Sequence, residues 1–252
     1  MKFAEYDYQP EKDNGSGEGM DRLWDSHWKG REGLKVDMTD EALWPTISDI
    51  VEQPGRLLEA GCGTGQWVQF FVRQGHDAVG IDYAESGLNV GRKYNSSLEL
   101  IQADFRKLPF ADESFDYITS FGAVEHDVDG PEDALKEFYR VLKPTGQLMC
   151  SVPCLNACRT ITLPWLMIKR WLKCRKMLRK ICGKTLPYEF YEYMWSPREY
   201  ARILRRCGFQ LRDMRGYGTS GASQLSRLFR HVFGRKCRFY SDHMMMAVCR
   251  KA

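Results

Sequence analysis

Residues 56–65 read RLLEAGCGTG, a short apolar run that leads directly into a glycine-rich turn. Glycines in such a turn allow positive φ angles and let the backbone approach a ligand closely, because glycine has no Cβ. Open α/β sheets bind small molecules beyond the carboxyl ends of their strands, so we expect a ligand at this turn. A dinucleotide fingerprint would need glycine at position 66, but the chain has Gln66 there. The spacing therefore argues against a pyrophosphate cradle.

Short apolar runs alternate with helical patterns from residue 56 onward. This alternation is typical of a parallel sheet with helices on both faces, so we predict an α/β, doubly wound fold. The predicted strands are 56–60, 77–82, 98–103, 115–120, 146–152, 209–215 and 239–249. The predicted helices are 65–74, 84–94, 131–142 and 197–206.

Two acidic residues follow the next two strands after the glycine turn. Asp82 closes the strand 77–82, where a carboxylate accepts hydrogen bonds from both hydroxyls of a ribose. Asp104 follows the strand 98–103 and stands beside Phe105, a combination that suits the exocyclic amine and the ring face of an adenine. Each acid alone could equally be a helix cap or a solvated strand end. Together with the glycine turn, they indicate a nucleoside-binding site.

At several positions the sequence resembles the class I S-adenosylmethionine-dependent methyltransferases, in particular the small-molecule branch that includes quinone-biosynthesis enzymes. The matching motifs are EAGCGTG at 59–65, GIDY at 80–83, Asp104 with LPF at 108–110, SFDYI at 114–118 and VLKPTGQL at 141–148. They lie within residues 55–152 and are specific as a set, whereas the resemblance outside them is slight.

The resemblance implies a Rossmann-like, mostly parallel seven-stranded sheet with an antiparallel last hairpin, and S-adenosylmethionine as the methyl donor. The cofactor-binding residues that it implies are Glu59, Gly61, Cys62, Gly63, Thr64, Gly65, Asp82, Tyr83, Asp104, Phe105 and Phe121. In this scheme Glu59 and the glycine turn surround the methionine part, and Asp82 holds the ribose. Asp104 and Phe105 frame the adenine, while Phe121 lines the cleft.

The acceptor side of the predicted cleft contains His126, just after the strand 115–120. Methyl transfer is an in-line displacement that mainly demands alignment, and a base is needed only when the acceptor loses a proton. Histidine titrates near neutral pH, so His126 is the candidate catalytic base; it could instead pack against the cofactor or bond a backbone carbonyl. In some quinone O-methyltransferases this region resembles Glu-x-x-Glu-His and is associated with a divalent metal. Gly122 occupies the first of those positions here, so we predict no metal.

The regions outside these motifs suggest how the chain is divided. Residues 1–19 end in DNGSGEG, which is too polar and glycine-rich for a regular element, so we expect a flexible lead-in. Apolar residues at helical spacing over 20–53 predict two helices. We therefore expect a lead-in with cap helices at 1–54 and the methyltransferase domain at 55–252, with a helical lid insertion at 153–195.

The net charge of +4 is distributed unevenly along the chain. Residues 1–137 carry 13 Lys+Arg and 28 Asp+Glu, a net −15, whereas residues 138–252 carry 24 and 5, a net +19. The stretch 138–188 holds eleven basic residues and no acidic one, and part of it has the pattern of a basic amphipathic helix. Such a helix either forms a lid whose apolar stripe packs on the sheet, or lies on an anionic membrane surface.

The basic and aromatic segments indicate what the protein could bind. A small-molecule or lipid-like methyl acceptor suits both readings of the insertion. Residues 188–195 read YEFYEYMW and could wall an aromatic acceptor pocket or form ordinary core. An arginine-flanked apolar stripe at 225–233 could bind a phosphate or an acidic acceptor. No nucleic-acid module accompanies the basic residues, so a nucleic-acid partner is not expected.

The start of the chain lacks the pattern of a secretory signal, and no apolar run approaches the roughly 18 residues that span a bilayer. Nine cysteines without a Cys-x-x-Cys pair predict reduced thiols. We therefore expect a cytoplasmic protein, with peripheral membrane contact as an open alternative. Two other functions stay open from the residues alone: an NAD- or nucleotide-sugar-binding oxidoreductase, which the glycine spacing disfavours, and a non-catalytic Rossmann-like protein that acts through its basic surface.

Overall fold

The computed structural model describes residues 2–8, 28, 34–35, 37–39, 41–155, 188–219 and 242–252. The strands in these ranges are β1 Lys2–Tyr8, β2 Arg56–Ala60, β3 Asp77–Asp82, β4 Glu99–Gln102, β5 Phe115–Phe121, β6 Leu142–Pro153, β7 Tyr188–Trp195, β8 Phe209–Thr219 and β9 Asp242–Lys251. The helices with both ends in these ranges are α1 Trp44–Ser48, α2 Gln66–Arg73, α3 Glu85–Tyr94, α4 Glu132–Val141 and α5 Pro197–Arg206, and Val124–His126 forms a 3₁₀ turn.

Seven of the strands form one sheet in the order β4-β3-β2-β5-β6-β9-β8. The strands from β4 to β6 are parallel, and β9 runs antiparallel to both of its neighbours. β3 and β4 lie on one side of β2, and β5 lies on the other side. This reversal leaves a crevice at the carboxyl ends of β2 and β5. The predicted doubly wound, mostly parallel seven-stranded sheet with an antiparallel last hairpin is confirmed.

The central strands are buried on both faces, which explains why the sequence shows them as continuous apolar runs. In β2, Leu57 packs into one apolar layer and Leu58 into the other, because successive side chains of a strand point to opposite faces. The first layer contains Phe71 of α2, and the second contains Phe138 of α4. The two layers fix β2 and β5 from both sides and so hold the crevice in place.

Most predicted elements match the observed ones to within a few residues. The largest difference in the parallel part of the sheet is the start of β6, which was predicted at residue 146 and lies at Leu142. Pro144 and Gly146 indicate a turn in the sequence, but Leu142 already pairs with Phe115 of β5. A register shift between Phe115 and Tyr117 accommodates the intervening residues.

A second, two-stranded sheet pairs β1 with β7 in antiparallel orientation, from Lys2 opposite Trp195 to Tyr8 opposite Tyr188. The expectation of a lead-in without regular structure is therefore wrong for Lys2–Tyr8. The aromatic run 188–195, read as a pocket wall or as core, is a strand whose last residues Met194 and Trp195 are buried. Single-sequence patterns miss this pairing because its two partners are far apart along the chain.

Several predictions concern residues outside the described ranges. These are the basic amphipathic helix of the insertion, most of the first of the two helices over 20–53, and the apolar stripe at 225–233. In the described part of the chain, no helix is long and apolar enough to cross a bilayer. The cysteines there, at positions 62, 150, 154, 207 and 249, are free thiols, as predicted.

Candidate active site

A cavity of about 570 Å³ lies at the carboxyl ends of the central strands. Its walls come from the segments that follow β2, β3, β4 and β5, together with Trp28 and Met38 from the N-terminal region. The volume falls in the range of roughly 300–1,000 Å³ that is usual for small-molecule sites. The cavity therefore occupies the place where the strand order reverses, as the sequence predicted.

The glycine turn after β2 forms the floor of the cavity. Gly61 has φ +81°, and a Cβ at this position would lie 2.3 Å from the Cβ of Ala123. A Cβ on Gly63 would lie 2.5 Å from Cζ2 of Trp28. The backbone N–H groups of Gly61 and Cys62 donate to the carbonyl of Ile81 at 2.8 and 2.9 Å, which ties the turn to β3. Glycine is therefore required here both by the backbone angle and by the close approach of neighbouring groups.

Asp82, at the end of β3, is held by the backbone of two loops. Its Oδ2 accepts a 2.7 Å hydrogen bond from the N–H of Gly63, and its Oδ1 accepts a 2.9 Å bond from the N–H of Ala84. Burial raises the pKa of Asp82, and these backbone donors partly offset the rise. The carboxylate therefore has a fixed orientation at the wall of the cavity, while each oxygen keeps a lone pair for a further donor.

Glu59, on β2, is a buried carboxyl that faces the same cavity. It is 3% exposed, and its Oε2 has no hydrogen-bond partner among the described residues. Burial raises the pKa of Glu59 well above its usual value; a hydrogen bond from the N–H of Val68 opposes the rise, and the negative charge of Asp82 adds to it. A buried polar atom without a partner is costly, so this oxygen is poised to accept a hydrogen bond from a cationic ligand group.

Asp104, after β4, is bound by Arg106 through both of its oxygens. The Nε of Arg106 lies 3.0 Å from Oδ1 and its Nη2 lies 2.8 Å from Oδ2. Burial raises the pKa of Asp104, but the hydrogen bonds from Arg106 outweigh it, so the pKa lies below its usual value. The carboxylate is therefore ionised at neutral pH, and Arg106 occupies the lone pairs that we assigned to an adenine amine.

The segment after β5 forms a further wall of the cavity and lies beside the glycine turn, since Ala123 approaches Gly61. Phe121, Gly122 and Ala123 lead into the 3₁₀ turn, which ends at His126. His126 is 9% exposed and lines the cavity. The next residue, Asp127, is 8% exposed, and burial raises its pKa. The segment after β5 therefore adds an imidazole and a carboxyl to a cavity wall that is otherwise apolar.

The charges of the cavity favour a ligand with a positive group. Four carboxyl groups line it, those of Glu59, Asp82, Asp104 and Asp127, against the single guanidinium of Arg106 among the described lining residues. A cation placed near Glu59 would oppose the rise that burial causes in the pKa of this carboxyl. The cradle of the glycine turn, the unpartnered Oε2 of Glu59 and the fixed Asp82 together fit an adenosyl sulfonium that carries an ammonium group.

Comparisons with known proteins agree with this geometry. Residues 58–150 match the model of a methyltransferase domain family. A demethylmenaquinone methyltransferase from Listeria monocytogenes is 31% identical over 171 residues, which cover 62% of this chain and 67% of that protein. The chain belongs to the class I S-adenosylmethionine-dependent methyltransferases. The demethylmenaquinone methyltransferase of Renibacterium salmoninarum is 38% identical over 147 residues, 53% of this chain and 61% of that protein.

A solved S-adenosylmethionine-dependent methyltransferase from Methanosarcina mazei has the same fold. It superposes with a TM-score of 0.61 at 19% identity, over 83% of this chain and 98% of that one. The matched segment spans only part of the length of these relatives. It covers 67% of the Listeria protein and 61% of the Renibacterium protein. The likeness to the solved structure shows the fold.

The structure brings together nearly all residues that the sequence assigned to the site. The cavity of this methyltransferase is lined by Glu59, Gly61, Cys62, Gly63, Thr64, Asp82, Tyr83, Asp104, Phe105, Phe121 and His126. Gly65 is not among the lining residues. It is the left-handed N-cap of α2, and a Cβ there would lie 2.8 Å from Leu100. Its effect on the site is therefore through the shape of the turn.

Other lining residues were not assigned to the site from the sequence. They are Trp28, Met38, Gln66, Trp67, Arg106, Gly122, Ala123, Asp127 and Val128. Trp28 and Met38 come from the N-terminal region, whose contact with the cavity has no local signal. Arg106 could have been noticed, because a cation two residues after a carboxylate at a strand end is placed to pair with it.

Proposed function

We propose that this methyltransferase moves a methyl group from S-adenosylmethionine to a small-molecule or lipid-like acceptor by in-line displacement. The observation that carries the proposal is the fixed carboxylate of Asp82, held by the N–H groups of Gly63 and Ala84 beside the glycine turn. This arrangement presents two acceptor oxygens at the wall of a cavity with the volume of a small ligand.

The residues at the carboxyl ends of β2, β3 and β4 would hold the donor. Asp82 would accept hydrogen bonds from the ribose hydroxyls, and the glycine turn with Glu59 would surround the methionine part. Asp104 and Phe105 would frame the adenine, which requires the guanidinium of Arg106 to give up at least one of its bonds to Asp104. Cys62, Thr64, Tyr83 and Phe121 would complete the donor side of the cavity.

S-adenosylmethionine supplies a methyl group on a positively charged sulfonium. The chain's own contribution is to hold donor and acceptor in line, because alignment accounts for much of the barrier in such a displacement. The carboxylates of the cavity stabilise a cationic donor more than its neutral product, and Trp28 covers Gly63 and closes one side of the cavity. The difference in charge favours binding of the donor before reaction and release of the product after it.

His126 is the catalytic residue that we propose for the acceptor side. It lines the cavity and belongs to the 3₁₀ turn after β5. When the acceptor has to lose a proton, a neutral imidazole within hydrogen-bond reach can accept it near neutral pH. Asparagine at this position would keep a hydrogen bond but could not take the proton.

The acceptor is proposed to be an apolar ring compound. The relatives from Listeria and Renibacterium are named for demethylmenaquinone. The cavity wall beside His126 includes the apolar side chains of Ala123 and Val128, which suit an aromatic ring with few polar groups. Demethylmenaquinone, in its reduced form, is therefore the first acceptor to test.

The proposal also covers where the protein acts in the cell and how its chain is divided into domains. We propose a cytoplasmic enzyme that touches an anionic membrane surface through the basic segment of its insertion, which would give access to a lipid-like acceptor. Residues 1–54 would act as a cap over the cavity, since Trp28 and Met38 line it, and the domain at 55–252 would carry the sheet.

Turnover with a labelled donor tests the activity. The purified protein would be incubated with donor carrying a trideuterated methyl group, with reduced demethylmenaquinone in one arm and a lipid extract in the other. The expected result is a product heavier by one labelled methyl group, lost in Asp82→Ala and reduced in His126→Asn. No labelled product from either source, with donor binding intact, would contradict the proposed activity.

A further inference from the structure

Arg106 stands between two carboxyl groups that belong to different walls of the cavity. Asp104 follows β4, and Asp127 follows the 3₁₀ turn after β5. The guanidinium donates to Asp104 through Nε and Nη2, whereas its Nη1 lies 3.7 Å from Oδ1 of Asp127. The second distance is too long for a hydrogen bond. Arg106 is therefore bonded to one carboxylate and lies close to a second one.

Asp127 has an oxygen that lacks a donor. Its side chain is 3% exposed, and its Oδ1 accepts a 3.1 Å hydrogen bond from the N–H of Asp129. Its Oδ2 is buried and has no hydrogen-bond partner among the described residues. Burial raises the pKa of Asp127, while the bond from Asp129 and the charge of Arg106 oppose the rise. Because a buried oxygen without a partner is costly, a cation that bonded to Asp127 would be stabilising.

Arg106 can reach Asp127 by a small movement of its side chain. Shortening 3.7 Å to the length of a charge-assisted hydrogen bond requires a shift of about 1 Å. The side chain of Arg106 is 44% exposed, so it has room to rotate. The backbone N–H of Arg106 also donates to Oδ1 of Asp104 at 2.8 Å. Asp104 therefore keeps a backbone partner when the guanidinium leaves it.

We propose that Arg106 is a positioning residue that moves from Asp104 to Asp127 when the donor binds. The proposal rests on the proposed function, in which the adenine amine bonds to Asp104 and so competes with the guanidinium. A guanidinium displaced into solvent would lose its charge-assisted hydrogen bonds, whereas one that pairs with Asp127 regains them. Binding of the donor therefore costs less free energy when the carboxylate of Asp127 is available.

The movement would connect the two sides of the reaction. Asp127 directly follows His126, the proposed base, in the sequence. A pair between Arg106 and Asp127 would tie the segment after β4 to the segment that carries His126. Two ligands that stabilise the same arrangement of a protein raise each other's affinity, and this coupling is reciprocal. The bound donor therefore prepares the wall that meets the acceptor.

Calorimetric titration with S-adenosylhomocysteine tests the role of the pair. The affinity of Asp127→Asn should be about 10-fold weaker than that of the wild type, because a neutral amide replaces a carboxylate as the acceptor for the guanidinium. Arg106→Gln should bind at least as tightly as the wild type, since a neutral side chain competes less for Asp104. The matched control is Asp129→Asn, which removes a charge at a nearby exposed position and should bind as the wild type does.

The double variant Arg106→Gln with Asp127→Asn separates this role from direct contact with the ligand. If Asp127 acts only through Arg106, the double variant binds as Arg106→Gln does. If Asp127 contacts the ligand itself, the change to asparagine weakens binding in both backgrounds.

Nuclear magnetic resonance can follow the movement of the guanidinium itself. The Nε–H signal of Arg106 would be assigned by its absence in Arg106→Gln. We expect S-adenosylhomocysteine to shift this signal in the wild type and to give a different final position in Asp127→Asn. A purely structural role of Asp127 would not produce this difference.

Four outcomes would overturn the proposal: wild-type affinity in Asp127→Asn, weaker binding by Arg106→Gln, equal loss from Asp127→Asn in both backgrounds, or an Nε–H signal that does not shift. If the wild type binds S-adenosylhomocysteine and one of these results is found, only the role of Arg106 is lost. If the wild type does not bind it, the proposed function is contradicted as well. Circular dichroism of each variant verifies that it is folded.

Discussion

At the scale of single residues, Gly61 illustrates how the turn limits substitution. It has φ +81°, and an added Cβ would meet Ala123 at 2.3 Å. Gly75 has a similar angle, φ +92°, but an added Cβ would find only Pro54 at 4.0 Å. Comparing alanine substitutions at Gly61 and Gly75 therefore separates the free-energy cost of a positive φ angle from the cost of steric contact with neighbouring atoms.

We expect Gly75→Ala to lower the free energy of unfolding by about 1–2 kcal/mol, the usual cost of a non-glycine residue in this region. Gly61→Ala should cost more than that and should also abolish binding of S-adenosylhomocysteine. Urea unfolding of both variants and calorimetric titration measure the two effects. Equal destabilisation by the two changes, with ligand binding intact, would show that the turn is not crowded as described.

Glu59 gives a prediction about pH. Burial raises its pKa in the folded protein well above the value in the unfolded chain. The stability that the neutral carboxyl contributes is therefore present below the unfolded pKa and is lost as the pH rises through the folded pKa. Glutamine keeps the shape and has no charge to bury.

The melting temperature of Glu59→Gln should thus exceed that of the wild type by more at pH 8 than at pH 5, by about 2–4 °C for each kcal/mol gained. The same variant should bind S-adenosylhomocysteine more weakly. Glu85→Gln, in the first turn of α3, is the control and should show no such widening. A constant difference across this pH range would mean that Glu59 is not buried as a neutral acid.

At the scale of elements, the ribbon of β1 and β7 depends on an N-terminal strand. Among the strands that the structure describes, β1 pairs only with β7, whereas β6 lies between β5 and β9. Removing residues 1–8 should therefore expose the backbone amides of β7 and leave the seven-stranded sheet folded. Hydrogen exchange with mass spectrometry would show faster exchange in peptides from 188–195 and unchanged protection in peptides from 147–153. Unchanged exchange in β7 would contradict the pairing.

The ribbon of β1 and β7 is the part of the fold that could not be predicted from the sequence. The strands of the parallel sheet were predicted because burial on both faces leaves long apolar runs, and the site residues were predicted because they follow those strands. β1 and β7 have mixed aromatic and acidic residues, and their pairing depends on tertiary contacts that no local pattern records. Glu192 lies beside Glu125 and His126 because of this pairing, so its position next to the 3₁₀ turn could not be predicted from the sequence.

At the scale of the whole molecule, the charge is strongly polarised. Residues 1–137 have a net charge of −15 and residues 138–252 a net charge of +19. A basic segment of this kind attracts anionic headgroups by an interaction that salt screens. We expect more co-sedimentation with phosphatidylserine vesicles than with phosphatidylcholine vesicles, and less of it as the salt concentration rises. Equal recovery with both kinds of vesicle would remove the electrostatic argument for membrane contact.

The family and the overall fold could be predicted from the sequence, because the glycine turn and the acidic residues at the strand ends occur in a fixed order along the chain. The participation of Trp28 and Met38 in the cavity was not predicted, since their contact with Gly63 and its neighbours arises only when the N-terminal region packs on the sheet. The bond between Arg106 and Asp104 likewise depends on side-chain packing in the folded protein.

The measurement that tests the central claim most directly is calorimetric titration with S-adenosylhomocysteine. We predict one site in the wild type and affinity about 30-fold weaker or more in Asp82→Ala and Asp82→Asn, because two hydrogen bonds to a charged carboxylate are lost. Asp77→Asn, at the other end of β3, where the side chain is 70% exposed, should bind as the wild type does. No binding by the wild type, or equal binding by the Asp82 variants, would contradict the assignment of the cavity to an adenosyl donor.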